Sequence, residues 1–160
     1  MTDAGLDLVL ELLGIARALE ERHVPYAVCG GIAVTIHGAV RSTKDIDLLV
    51  DRRDRETILQ AVAELGIGLE SAPMVFGKGT PAEREVQRVS KVRDGEVLTL
   101  DLLIADEALR DVWEHRELVL WEKTPLWVVS RAGLLQMKRL AGRLQDLADI
   151  EKLEAGDDAL

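Results

Sequence analysis

Two aspartates, Asp45 and Asp47, alternate with Ile46 and Leu48 in a segment that continues as Leu49 and Val50 before a charged run. The alternation predicts a strand over Asp45–Val50. Side chains at i and i+2 of a strand share a face with their alpha carbons about 6.6 Å apart, so both carboxylates converge on one small volume, where a cluster of cations would satisfy them. Upstream, residues 24–29 form an apolar run with Pro25 near its start, closed by Gly30 and Gly31 before a helix-like stretch over residues 32–37. Strand, glycine turn and helix in that order can cradle phosphate. The glycines allow positive φ and present no β carbon, while the first free N–H groups of the helix point at the anion. Taken singly, Asp-x-Asp also fits a solvated strand end and Gly-Gly a plain tight turn. Together they supply what metal-bound phosphate requires.

A third acid strengthens the reading. Asp101 sits among Leu98, Leu100, Leu102 and Leu103, and burying it there costs several kcal/mol unless a cation or several donors meet it. Asp94-Gly95 between residues 88–92 and Glu96–Ile104 is a strong hairpin signal. With those two residues as the loop, Arg93 faces Glu96, Val92 faces Val97, Ser90 faces Thr99 and Arg88 faces Asp101. Leu98, Leu100 and Leu102 then share one face with Val89, and Thr99 and Asp101 share the other with Arg88 and Ser90.

An apolar strand ending in Gly-Gly, thirteen intervening residues, Asp-x-Asp within a strand and a lone Asp on a later strand resemble the signature of the DNA polymerase β-like nucleotidyltransferase superfamily. Within it, residues 19–153 resemble the small stand-alone bacterial and archaeal members, of the AbiEii toxin type and the minimal nucleotidyltransferases. The segment LLQMKRLAGRLQDLADIEKL, residues 134–153, is similar to the Lys then Gly-Arg-x-x-Asp-x-x-Asp-Ile pattern that closes many of them. The resemblance implies an α/β (α+β) fold, a mixed sheet flanked by helices with a C-terminal helical segment. It also implies a Mg²⁺- or Mn²⁺-dependent enzyme moving NMP from an NTP to a hydroxyl. Asp45, Asp47 and Asp101 would be the catalytic and metal-binding residues for two ions. Many members carry Gly-Ser where this chain has Gly30-Gly31. Backbone N–H groups, or Thr35, would then take the part of the serine hydroxyl.

Arg41, Thr43 and Lys44 precede the aspartates where a loop would pass the phosphates, and they complete the expected nucleotide-binding set with Gly30, Gly31, Thr35 and Lys138, although Arg41 and Lys44 taken singly also read as charges on a solvated loop. On one continuous helix Lys138, Gly142 and Asp146 would lie on one side. Lys138 reads equally as a phosphate ligand or as a snorkelling side chain. Asp146 and Asp149 read as helix-surface charges or partners of Arg139 and Arg143. Cys29 reads as a small buried hydrophobe. His37 reads as packing or helix termination, with contact to substrate as the alternative.

The remaining pattern predicts one domain over residues 1–160, with its core at about 19–130 and C-terminal helices at about 130–155. A leading amphipathic helix is expected over residues 4–22, with Leu6, Val9, Leu10 and Leu13 apart from Arg17 and Glu20. A second helix spans residues 54–65 and ends at Gly66. Residues 67–76 read as a weaker strand, 77–83 as a mobile loop and 107–115 as a short helix. Glu117–Trp121 and residues 126–129 make a second hairpin about Lys123 and Thr124. Ser130 caps helices running through Leu140 and, after Gly142, to Leu153.

Composition narrows the partners. The formal charge is −9, from 29 acidic and 20 basic residues, with no basic cluster to track a phosphate backbone, so extended DNA binding is excluded. An NTP would be repelled by the three carboxylates, and two divalent ions reverse the local sign. The single cysteine suits a reducing cytoplasm. No apolar run approaches the roughly 20 residues of a membrane span, and no signal-peptide pattern is present. The expected acceptor is a protein, a tRNA or another RNA, or a small molecule, with a toxin–antitoxin setting, a cognate toxin or antitoxin chain and a homo-oligomer as further expectations. The competing expectation is a non-catalytic antitoxin or regulatory module that keeps the fold and acts by docking.

Overall fold

The computed structural model describes residues 7–39 and 43–158. Among these, eight strands form one mixed sheet accompanied by six α-helices. Helix α1 spans Leu8–Glu21, β1 Ala27–Cys29, α2 Gly30–Ile36 and β2 Asp45–Val50. After a short 3₁₀ turn come α3 (Arg55–Ala63), the short strands β3 (Leu69–Glu70) and β4 (Met74–Phe76), and the long hairpin β5 (Arg84–Arg93) and β6 (Glu96–Ile104). Helix α4 (Arg110–Glu114), the hairpin β7 (Glu117–Trp121) and β8 (Thr124–Val128), and helices α5 (Arg131–Ala141) and α6 (Leu144–Asp158) complete the chain.

The strand order is β3-β5-β6-β2-β1-β8-β7, with β4 also paired to β5. The central pair β2 and β6 is parallel and β1 is antiparallel to β2. Strand alternation gives the sheet two different faces. Ile46, Leu48, Val89, Leu98, Leu100 and Leu102 are buried in one apolar cluster with Leu12, Ile15 and Leu19 of α1 and Ile58 and Val62 of α3. The opposite face carries the aspartates.

The fold agrees with the α/β expectation, and the β5–β6 hairpin has the expected register. Asp94 and Gly95 both take positive φ, 52° and 80°, and Arg88 pairs with Asp101. Other elements differ. The buried side of α1 is Leu12, Ile15, Ala16, Ala18 and Leu19, while Leu10 is 65% exposed. Leucines surround this helix, so its spacing pattern admits more than one apolar stripe. Helix α2 begins at Gly30, two residues before the apolar stretch suggested. The expected strand at residues 67–76 is two short pieces on the outer edge of β5. Residues 77–83 close on themselves, with Thr80 Oγ1 donating to the Gly77 carbonyl at 2.6 Å and the Gly79 N–H donating to Glu83 at 2.8 Å. In the second hairpin the turn is Glu122-Lys123, both at positive φ, and Thr124 already pairs with Trp121. Ser130 caps α5 as expected, accepting from the Gly133 N–H at 3.0 Å. Gly142, at φ 65°, ends α5 and separates it from α6, so residues 138, 142 and 146 do not lie on one helix.

Candidate active site

The sheet register sets four residues in a row across neighbouring strands. Cys29, the residue before Gly30, pairs with Asp47; Asp47 pairs with Asp101; Asp101 pairs with Arg88. Asp45 lies two residues along β2 on the same face. These groups line a cleft of about 450 Å³ bounded by Gly30 and Gly31 on one side, by β4 and β5 on the other, and by α5 and the start of α6. The glycine contributes space as well as conformation. Gly30 takes φ +66°, and a β carbon there would lie 2.1 Å from Asp47 Oδ2.

The electrostatics are those of three carboxylates crowded on one face. Burial pushes the Asp47 carboxyl up to about 7, and the charges of Asp101 and Asp45 add to it, against Lys138 and Arg143. Burial, with the charge of Asp47 next, also pushes the Cys29 thiol well up, in keeping with a buried small hydrophobe rather than a nucleophile. Asp101 is met by Arg88, whose Nε donates to Oδ1 at 2.8 Å and whose terminal nitrogen donates to Oδ2 at 3.0 Å. Among the described residues no group of three or more acidic, histidine or cysteine side chains is placed to hold a metal ion, and both oxygens of Asp101 are engaged by the Arg88 guanidinium. Carboxylate oxygens are the donor type that hard divalent cations take. Three carboxylates share one face, and their mutual repulsion is what bound cations would relieve.

Lys138 is buried, and its ammonium lies 3.3 Å from Asp146 Oδ1 and 3.2 Å from Asp149 Oδ2. Both aspartates are fully buried, which corrects their reading as helix-surface charges. Because Gly142 separates α5 from α6, the contact arises from packing of two helices. Arg143 closes the group from outside, its Nε donating to Asp146 at 2.7 Å, while Arg139 pairs with Glu154 instead. Burial alone would push the Asp146 carboxyl up; the hydrogen bonds and charges of Arg143 and Lys138 outweigh it and hold it below the usual carboxylate value. Lys138→Met takes the buried ammonium from two buried carboxylates, leaving Asp146 to Arg143 and Asp149 to Gln145, and should cost about 3–5 kcal/mol in urea unfolding. Adding Asp146→Asn and Asp149→Asn should recover most of that loss. A cost below about 1 kcal/mol would contradict a buried ion triad.

The other expected nucleotide ligands divide. Gly30, Gly31, Thr43 and Lys138 line the cleft. Thr35 is exposed on α2, outside the lining, with its hydroxyl 3.4 Å from the Gly31 carbonyl. Lys44 is exposed and also outside it. Arg41 lies outside the described residues. His37 ends α2, and its Nε2 donates to the Val129 carbonyl at 2.8 Å, tying that helix end to the end of β8.

A sequence model of the aminoglycoside-2''-adenylyltransferase family matches residues 11–93, a span that holds Gly30, Gly31, Asp45 and Asp47. The chain belongs to this family. Asp101 and Lys138 lie beyond the matched span and enter the site through the fold alone. Among curated proteins none matches the sequence.

Solved structures share the architecture. A Thermotoga maritima protein described as a nucleotidyltransferase superposes with a TM-score of 0.61 at 16% identity, covering 92% of each chain. The lincosamide antibiotic adenylyltransferase LnuA, bound to lincomycin, gives 0.59 at 15% identity over 91% of this chain and 95% of its own. ANT(2'')-Ia in complex with adenylyl-2''-tobramycin gives 0.58 at 15% identity over 92% and 88%. At these identities the likeness concerns the fold. The family assignment makes this chain a nucleotidyltransferase, in agreement with the resemblance in its sequence.

Sequence reasoning did not place Arg84, Phe76, Met74 or Arg143 in the cleft, yet all four line it. For Arg84 a signal was present. Continuing the period-two pattern back from Arg88 through residues 86 and 84 sets all three on the aspartate face.

Proposed function

We propose that the protein transfers a nucleoside monophosphate from an NTP to a hydroxyl of a small-molecule acceptor, with Asp45, Asp47 and Asp101 holding two Mg²⁺ or Mn²⁺ ions. The observation that supports this most is the register that sets Asp47 beside Asp101 and under Gly30, inside one cleft. Bound there, the ions would offset the triphosphate charge and make the acceptor hydroxyl more acidic.

The chain's own groups would set the geometry. Gly30 and Gly31 leave the backbone open to the phosphates, and Arg143, with its side chain largely exposed, offers a cation on the α5 and α6 side, while Lys138 is held by Asp146 and Asp149. The acceptor oxygen forms a bond to the α-phosphorus, and the bond from that phosphorus to the bridging oxygen breaks. Pyrophosphate leaves with the electron pair, and the hydroxyl proton is lost to water. Catalysis on this account is positioning and charge rather than covalent chemistry by the protein.

Removing the metal tests it. In calorimetry ATP and GTP should bind in the presence of Mg²⁺ or Mn²⁺ and lose at least about tenfold in affinity in EDTA, since three carboxylates repel a triphosphate. Equal affinity in both conditions would refute the two-metal assignment. Label from the α-position of the NTP should appear on acceptor only with metal present. Among the described residues no helix is long and apolar enough to cross a membrane.

A further inference from the structure

The cleft has two unlike walls. Gly30, Gly31 and the α5–α6 cations stand on the side assigned to phosphate. The opposite wall belongs to β4 and β5, with Met74, Phe76, Arg84, Val86 and Arg88 facing in. Its charge is positive. The Arg84 guanidinium carbon lies 5.7 Å from the centre of the Phe76 ring, and one of its terminal nitrogens donates to the Ala82 carbonyl at 2.9 Å. Among the described residues no carboxylate is within ion-pair distance of Arg84. The neighbouring acid, Glu85, points away and is taken by Arg52 and Arg55.

The acidic side chains lining the cleft, among the described residues, are Asp45, Asp47, Asp101 and Asp146. Asp146 is bound by Lys138 and Arg143, and the other three are the proposed metal ligands. A polycationic aminosugar needs carboxylates for its ammonium groups, and this wall offers it Arg84 instead, Arg88 being held by Asp101. Like charges set against each other across a binding surface cost several kcal/mol.

We propose that the acceptor is a hydroxyl-bearing molecule with an aromatic or apolar body and a carboxylate, the carboxylate received by Arg84 and the body by Phe76, Met74 and Val86. The inference rests on the nucleotidyltransferase reading for the role of the hydroxyl, and it makes Arg84 the residue that sets acceptor specificity. A planar guanidinium suits a carboxylate in two-point contact, and an arginine held over an aromatic ring spends less freedom on binding.

A matched pair of probes tests it: 3-(4-hydroxyphenyl)propionate and tyramine share the phenol and chain length and differ in the sign of the terminal charge. Both, with tobramycin as a polycation, are titrated into the full chain by calorimetry, with and without Mg²⁺ and a non-hydrolysable ATP analogue. The carboxylate probe should bind at least about tenfold more tightly than tyramine, Arg84→Gln should erase the difference, and Arg84→Glu should invert it. Tighter binding of tyramine or tobramycin, an unchanged preference in Arg84→Glu, or no binding of either phenol would overturn the proposal. The nucleotide titration stands apart. If the ATP analogue fails to bind, the proposed function falls, while the charge preference is still read from the nucleotide-free titration in Mg²⁺, where the three carboxylates are screened from the probes.

Discussion

Asp47→Asn should abolish nucleotidyl transfer and, in the absence of metal, make the protein more stable at neutral pH. The first effect follows from loss of a proposed metal ligand. If that ligand supplies about 4 kcal/mol of transition-state stabilisation, the rate falls roughly a thousandfold. The second follows from the raised carboxyl. Burial, then Asp101 and Asp45, moves it from an ordinary 3.8 to about 7 in the folded chain. Between those values the folded protein keeps a proton that the unfolded chain has lost. Stability therefore falls as pH rises from about 4 to about 7 and stays at the lower level above, by on the order of a few kcal/mol. Asparagine carries no charge and escapes this penalty.

Thermal unfolding in EDTA should thus find wild type and Asp47→Asn alike near pH 4 and the variant higher by several degrees at pH 8. In wild type, Mg²⁺ with ATP should raise the midpoint at pH 8; in the variant it should have little effect. Retained transfer, or a variant less stable at pH 8, would contradict the assignment of Asp47.

Gly30→Ala should be nearly as damaging, for a steric reason. The residue sits at φ +66°, where a side chain costs about 1–2 kcal/mol, and its new β carbon would lie 2.1 Å from Asp47 Oδ2 and 2.6 Å from Cγ. Either the carboxylate or the start of α2 must move. Misplacing a reacting group by about 1 Å costs roughly a hundredfold in rate. Gly38→Ala supplies the comparison, since Gly38 takes φ +97° with nothing within 4 Å of the added carbon. It should show the backbone cost alone in urea unfolding, so the excess loss in Gly30→Ala measures the collision with Asp47. Equal losses in the two variants would show that Asp47 gives way freely.

The central machinery was legible because it depends on short periods. Alternation placed Asp45 and Asp47 on one face of a strand, and Asp94-Gly95 fixed the register that brings Arg88 to Asp101. What was not legible depends on chain reversal. The burial of Asp146 and Asp149 needs α6 to fold onto α5 after Gly142, and a helix-face argument that ignores the break assigns both to solvent. Leu10 and Leu12 are equally apolar, so only packing with α3 and the sheet decides which is buried. Arg84 and Phe76 are ordinary residues in sequence and acquire meaning only when β4 folds back along β5.

The position of β4 and β5 in the sheet has an evolutionary consequence. The carboxylates ride on the interior strands β2 and β6, each hydrogen-bonded on both sides, whereas the wall proposed to choose the acceptor lies toward the outer margin, where β3 and β4 cover β5 only in part. Replacing Phe76, which is 44% exposed, or Arg84 disturbs no interior strand pairing. Selection can therefore retune the proposed acceptor wall by a few changes at the margin of the sheet while leaving the interior strands that carry the carboxylates undisturbed.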